Sequence, residues 1–142
     1  MSERTLVSTS EYRVRYSEVD QMKFMYYGRY LEYFEMARTD MLRLIGLPYT
    51  EVEKNGLFLP VLEAHVTYKR PAFYDDVIAV KSMMTGMPTV RLRIDYEVHN
   101  KQTGMLLATG YTEHAFLNPE TQSVTRVPKI FTDAVDAYFQ SL

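Results

Sequence analysis

Tyr12, Val14 and Tyr16 alternate with Arg13 and Arg15, and this period of two predicts a half-buried strand over roughly residues 10–17. From about residue 28 to residue 45 the period lengthens. Tyr30, Leu31, Phe34, Ala37, Met41, Leu42 and Ile45 fall on one wide helical face, and Gly46 supplies a C-terminal stop. Thr50 and Glu53 have capping-box spacing, which predicts a short helix over 51–55 closed by Gly56. The rest reads mainly as strand: 57–69, ended by Arg70-Pro71; 77–84, ended by Gly86-Met-Pro88; 91–99; and 105–117, ended by Asn118-Pro119. The cleanest alternation is in 91–99, where Leu92, Ile94, Tyr96 and Val98 oppose Arg91, Arg93, Asp95, Glu97 and His99. Pro128 starts a last helix to about residue 140, with Phe131, Val135 and Tyr138 on one side.

Strand, long helix, short helix, four strands and a helix, with no repeats and no linker, predict one α+β domain over 1–142. Consecutive strands joined by short turns favour an antiparallel sheet, with the long helix covering its apolar face. Composition narrows the function classes. A net charge of −2 lacks the basic excess of a nucleic-acid binder. Zero cysteines exclude disulfides, thiolate metal sites and cysteine nucleophiles. No signal-peptide stretch and no apolar run of membrane-spanning length is present, so the expected location is cytoplasmic, away from membranes. With 12 Tyr, 7 Phe and 9 Met, the chain can build soft aromatic walls, though most such residues ordinarily serve a core.

The chemistry concentrates between residues 16 and 38. Asp20 lies in the loop after the first strand, and Gly28 opens the long helix. A carboxylate facing the unpaired amides of a helix start suits acyl hydrolysis: it attacks a carbonyl or activates water while the N–H groups hold the oxyanion. An Asp in this position is more commonly a cap or a turn residue, and spacing alone does not decide. His65, His99 and His114 sit on separate strands without ligand spacing, so no metal site is expected and each is read as a surface or sheet-face residue. Asp75-Asp76 reads as a turn, and neither a glycine-rich phosphate loop nor a G-x-S-x-G elbow occurs.

The chain resembles the hotdog-fold acyl-CoA thioesterases, of the 4-hydroxybenzoyl-CoA thioesterase type and its bacterial acyl-CoA relatives. The resemblance rests on an ordered set: Arg15-Tyr-Ser-Glu-Val-Asp20, Tyr26-Tyr-Gly28-Arg-Tyr30-Leu31, Phe34-Glu35 with Arg38, Gly46-Leu47, Leu59-Pro60-Val-Leu-Glu63-Ala, Tyr68-Lys-Arg70-Pro71-Ala, Tyr74-Asp-Asp76 and Leu107-Ala108-Thr109-Gly110. It runs through about residues 11–128. Two positions depart from the commoner pattern, with Tyr27 where a His often stands and Arg29 where an Asn does.

The resemblance implies a single hotdog domain, an antiparallel sheet wrapped around one helix. It implies Asp20 as catalytic nucleophile or general base, and the backbone N–H groups of Tyr27 and Gly28 as oxyanion donors. Glu63 is at a position resembling an active-site-lining one. If Leu62, Ala64 and Val66 face the helix, Glu63 faces the other side, towards a subunit interface. Arg70 at a strand end is a candidate for coenzyme A phosphates, since Arg presents paired donors; a solvated strand end is the competing reading. Thr89 and Arg91 are weaker candidates for the same task, contributed across a dimer. The expected substrate is an acyl-CoA, with an acyl carrier protein as the other thiol partner. No metal or cofactor is expected, and the expected assembly is a homodimer or homotetramer with each site drawing on two chains. The rival functions are a hotdog hydratase or dehydratase and a non-catalytic acyl-CoA-binding module. The first uses a His with an acidic partner at the helix, where this chain has Tyr27.

Overall fold

The computed structural model describes residues 4–142. In chain order its elements are β1 (Thr5–Arg13), α1 (Arg29–Leu44), α2 (Tyr49–Lys54), β2 (Val61–Tyr68), β3 (Val77–Thr85), β4 (Arg91–Asn100), β5 (Leu106–Asn118), β6 (Ser123–Thr125) and α3 (Lys129–Gln140). One turn of 3-10 helix, Tyr16–Glu18, follows β1. The main sheet is antiparallel with strand order β1-β3-β4-β5-β2, and β6 pairs with the end of β5.

The sheet curls over α1, whose buried face carries Tyr30, Tyr33, Phe34, Ala37, Met41 and Leu42. Leu92, Ile94, Tyr96 and Val98 of β4 are buried against it, as the alternation predicts. The Phe34 ring of α1 lies directly over Gly110 of β5. A Cβ there would lie 2.6 Å from the Phe34 ring and collide with the His65 carbonyl, so only a glycine lets Phe34 settle on the backbone of β5. Phe34 also stacks flat on Tyr96, with centroids 4.2 Å apart.

Several local expectations shift. The first strand begins at Thr5 and ends at Arg13: the Val14 carbonyl takes the Asp75 amide while the Asp76 amide turns to the Phe73 carbonyl, and residues 16–18 coil into the 3-10 turn. The short helix starts at Tyr49 behind Pro48, so the Thr50–Glu53 capping box is not the device that opens it. The strand expected over 57–69 is regular only from Val61. β2 and β3 are consecutive in sequence but not neighbours: β2 crosses to the far edge, beside β5. Nearly all of β2 is exposed, on both faces. Among the described residues, no helix is long and apolar enough to cross a membrane.

His114 departs furthest from expectation. It is not a surface residue but fully buried, on the core side of β5. Its Nδ1 lies 3.2 Å from the Pro60 carbonyl, which can only accept, so Nδ1 carries the proton. Nε2 must then accept from the Thr112 hydroxyl at 2.8 Å. Thr112 in turn accepts from Tyr96 at 2.7 Å, and Tyr96 accepts from Arg38 at 3.3 Å. Burial, reinforced by the positive charge of Arg38, pushes the His114 pKa down to about 4, so the ring is neutral at pH 7.

Candidate active site

The loop between the 3-10 turn and α1 is a small hairpin held from both ends. Val19 bridges Met25, the Asp20 amide donates to the Phe24 carbonyl at 2.8 Å, and the Tyr26 amide donates to the Glu18 carbonyl at 2.8 Å. The Asp20 carboxylate closes the turn: Oδ1 accepts the Met22 amide at 2.9 Å and the Phe24 amide at 3.3 Å. Lys23 takes a left-handed backbone, φ 69°, to let the chain reverse. Oδ2 has no hydrogen-bond donor among the described residues, so one oxygen builds the loop and the other is free of it.

The loop is fastened to the core through Glu18. That carboxylate is buried, 2% exposed, and accepts the Tyr33 hydroxyl at 2.6 Å and the Arg15 amide at 2.8 Å. Burial alone would raise its pKa. The hydrogen bonds from Tyr33 and Arg15 and the nearby guanidinium outweigh this and hold it below the ordinary carboxylate range. Tyr33, at the other end of the bond, is pushed far up by burial and by the carboxylate it serves.

Asp20 opens onto a cleft of ≈ 330 Å³ between this hairpin, the start of α1 and the end of β2. Phe24, Met25, Tyr27, Tyr30, Tyr68 and Pro71 form its walls, and Lys69 and Arg70 stand at one side. Phe24 packs edge-on against Phe73, which joins the two loops that flank the opening. Tyr30 is pushed up to about 12 by burial and by the neighbouring Tyr68, so it remains a neutral phenol.

The sequence-predicted residues divide into two groups. Asp20, Tyr27 and Arg70 line one cleft, and Gly28 is the N-cap of α1 beside it. Among the described residues, neither the Tyr27 amide nor the Gly28 amide donates to an acceptor. Glu63, Thr89 and Arg91 do not line this cleft. Glu63 is on the outer sheet face, opposite Glu113, and accepts the Tyr111 hydroxyl at 2.8 Å. Ala64 and Val66 share the helix side with Thr112 and Gly110, as the strand parity predicts. Arg91 pairs with Glu113 at 2.8 Å, and the Thr89 carbonyl holds the Val127 amide at 2.8 Å. Tyr30 and Tyr68 complete the cleft without having been singled out as site residues, and Lys69 lines it beside Arg70, as expected of the Lys69-Arg70 pair. The available signal for Tyr68 was its place at a strand end directly before Lys69-Arg70. Arg29 braces the first helical turn through Glu32, at 3.0 Å.

The description "Thioesterase-like superfamily" fits residues 14–137 of this sequence. The chain belongs to that superfamily. This thioesterase-like chain is a thioester hydrolase with the hotdog fold. It is 30% identical over 132 residues to YneP of Bacillus subtilis, a candidate acyl-CoA thioesterase, covering 93% of this chain and 95% of that protein. It is 24% identical over 123 residues to a 1,4-dihydroxy-2-naphthoyl-CoA hydrolase of Synechococcus elongatus, covering 84% and 88%. Among solved structures it superposes on a DHNA-CoA thioesterase from Staphylococcus aureus with a TM-score of 0.85 and 33% identity, covering 95% of this chain and 90% of that one.

Proposed function

We propose that this thioester hydrolase acts on acyl-CoA, releasing a carboxylate and free coenzyme A, with Asp20 as its catalytic carboxylate. The observation that carries the reading is the sharing of one cleft by Asp20, with an unoccupied Oδ2, and the α1 start, with its unused amides. Oδ2 either attacks the thioester carbonyl, giving a mixed anhydride that water then opens, or takes a proton from an attacking water. Either route places negative charge on the former carbonyl oxygen, which the Tyr27 and Gly28 amides would hold; the α1 dipole favours that charge. The thiolate leaves and takes up a proton to give coenzyme A. The reaction so written needs no metal or further cofactor.

Arg70, at the side of the cleft, suits the nucleotide phosphates. Glu63, Thr89 and Arg91 are assigned to substrate contacts made in a neighbouring protomer, within a homodimer or homotetramer. The aromatic walls supplied by Phe24, Tyr27, Tyr30 and Tyr68 suit a flat aroyl group. Relatives named for 1,4-dihydroxy-2-naphthoyl-CoA support that choice, as does the resemblance to the 4-hydroxybenzoyl-CoA type.

A thiol-release assay across aromatic, short aliphatic, long aliphatic and carrier-protein thioesters tests this reading. The expected result is coenzyme A release, fastest with aroyl-CoA. Release that is equally fast from long aliphatic substrates overturns the aroyl assignment. Hydration of an enoyl-CoA without thiol release, or tight acyl-CoA binding with no turnover, overturns the assignment of acyl-CoA hydrolysis.

A further inference from the structure

The geometry points to Tyr68 as a positioning residue for the oxyanion hole, acting through the Tyr27 carbonyl. The Tyr68 hydroxyl, at the end of β2, donates to that carbonyl at 3.0 Å. This inference rests on the reading of the Tyr27 and Gly28 amides as oxyanion donors.

The Tyr27 carbonyl and the Gly28 N–H belong to the same peptide unit. That unit is planar and trans, so its C=O and N–H point in opposite directions. Fixing the oxygen fixes the direction of the N–H. The oxygen is held on two sides, by Tyr68 at 3.0 Å and more loosely by the Tyr30 amide at 3.3 Å. Before the first complete turn of α1 the peptide has little else to hold its plane, because the helical ladder starts only at Arg29. A hydrogen bond at the carbonyl also polarises the amide and makes its N–H a stronger donor.

Tyr68 is itself well placed for this work. Its ring meets Tyr30 edge-on at 5.2 Å and Tyr27 at 6.3 Å, so it is clamped between two residues of the α1 start. Burial and the neighbouring Tyr27 raise its pKa, which keeps the hydroxyl protonated and donating. The oxyanion donors sit on α1 and its lead-in, yet the group that aims one of them comes from the edge strand β2. The site is therefore sensitive to how β2 is seated.

Tyr68→Phe removes the hydroxyl and keeps the ring. The expected result is a kcat about tenfold lower with KM nearly unchanged, since losing one hydrogen bond that orients a transition-state donor appears in the chemical step. Melting temperature and coenzyme A affinity should stay near the parent's, which a merely structural role would not give. An unchanged kcat, or equal losses in kcat and stability, overturns the proposal.

Infrared spectroscopy of the best substrate, ¹³C-labelled at the thioester carbonyl and bound to Asp20→Asn, separates this inference from the reading beneath it. A lowered carbonyl frequency in Asp20→Asn that partly recovers in Asp20→Asn/Tyr68→Phe supports both. A lowered frequency unchanged by the second substitution overturns the role of Tyr68 and leaves the oxyanion hole standing. No lowering in Asp20→Asn overturns both.

Discussion

The Tyr33 hydroxyl reaches the buried Glu18 carboxylate at 2.6 Å, and so ties the chain just ahead of Asp20 to the second turn of α1. The carbonyl of the same Glu18 accepts the Tyr26 amide at 2.8 Å. One residue therefore holds the Asp20 loop against the helix start. Asp20 and the Tyr27 and Gly28 amides hang from a common anchor.

Asp20→Asn and Asp20→Ala should both lower kcat by about two to four decades, the range for loss of a base or nucleophile. They should differ in stability. Asn keeps an oxygen for the Met22 and Phe24 amides, whereas Ala leaves both without a partner, at about 1 kcal/mol or a few degrees in Tm. Calorimetry beside steady-state kinetics reads the two effects apart. Near-parental turnover in the folded Asn variant removes Asp20 from the reaction.

Arg70→Ala should raise KM for acyl-CoA with little change in kcat, because a phosphate contact is the same in ground and transition states. The effect should shrink at high salt and vanish on an N-acetylcysteamine thioester that lacks the nucleotide. Equal losses on full and truncated substrates assign Arg70 to the fold or to the reacting centre.

Stability should fall with pH below neutrality through His114. Its folded pKa of about 4 lies below the ordinary 6.5, so the unfolded chain binds the proton first as pH drops. The stabilisation is complete above pH 6.5 and is lost progressively down to about pH 4. Between pH 6.5 and 5, just above the ordinary titration range of Glu18, the loss amounts to about 2 kcal/mol. Denaturant melts at the two pH values measure it. His114→Gln should flatten the slope, and an unchanged slope in that variant would assign the loss to other groups.

The protein should form a stable homo-oligomer, because β2 and β1 leave two sheet edges unpaired among the described residues. Light scattering at micromolar concentration decides this. An active monomer rules it out.

Much of the fold was legible because its period is plain. The β4 alternation and the α1 face both emerge buried where the pattern puts them. The start of β1 was hidden because its core-facing positions after Leu6 are Ser8 and Ser10, small hydroxyls that do not read as apolar. β6, three residues of Ser-Val-Thr, has no period to read. The place of β2 at the far edge depends on long-range pairing, which no local pattern encodes. At the site, Asp20 and the helix start stand out as a charge and a glycine in sequence. Tyr68 looks like any strand aromatic until its hydroxyl is seen on the Tyr27 carbonyl. His114 carried a missed signal: it alternates with Thr112 and Phe116, which share its core-facing side.

The exposed β2 edge also bears on the newly made chain. Val61-Leu-Glu-Ala-His-Val-Thr-Tyr68 carries a single acidic residue, no proline and no glycine, and it offers unpaired amides to whatever strand arrives first. Such a segment templates amyloid-like stacking as readily as orderly pairing. If the expected homo-oligomer forms, newly made chains face a race between that pairing and joining an aggregate. A substitution that slows the former while leaving the edge open should be seen first as precipitation and only afterwards as lost activity.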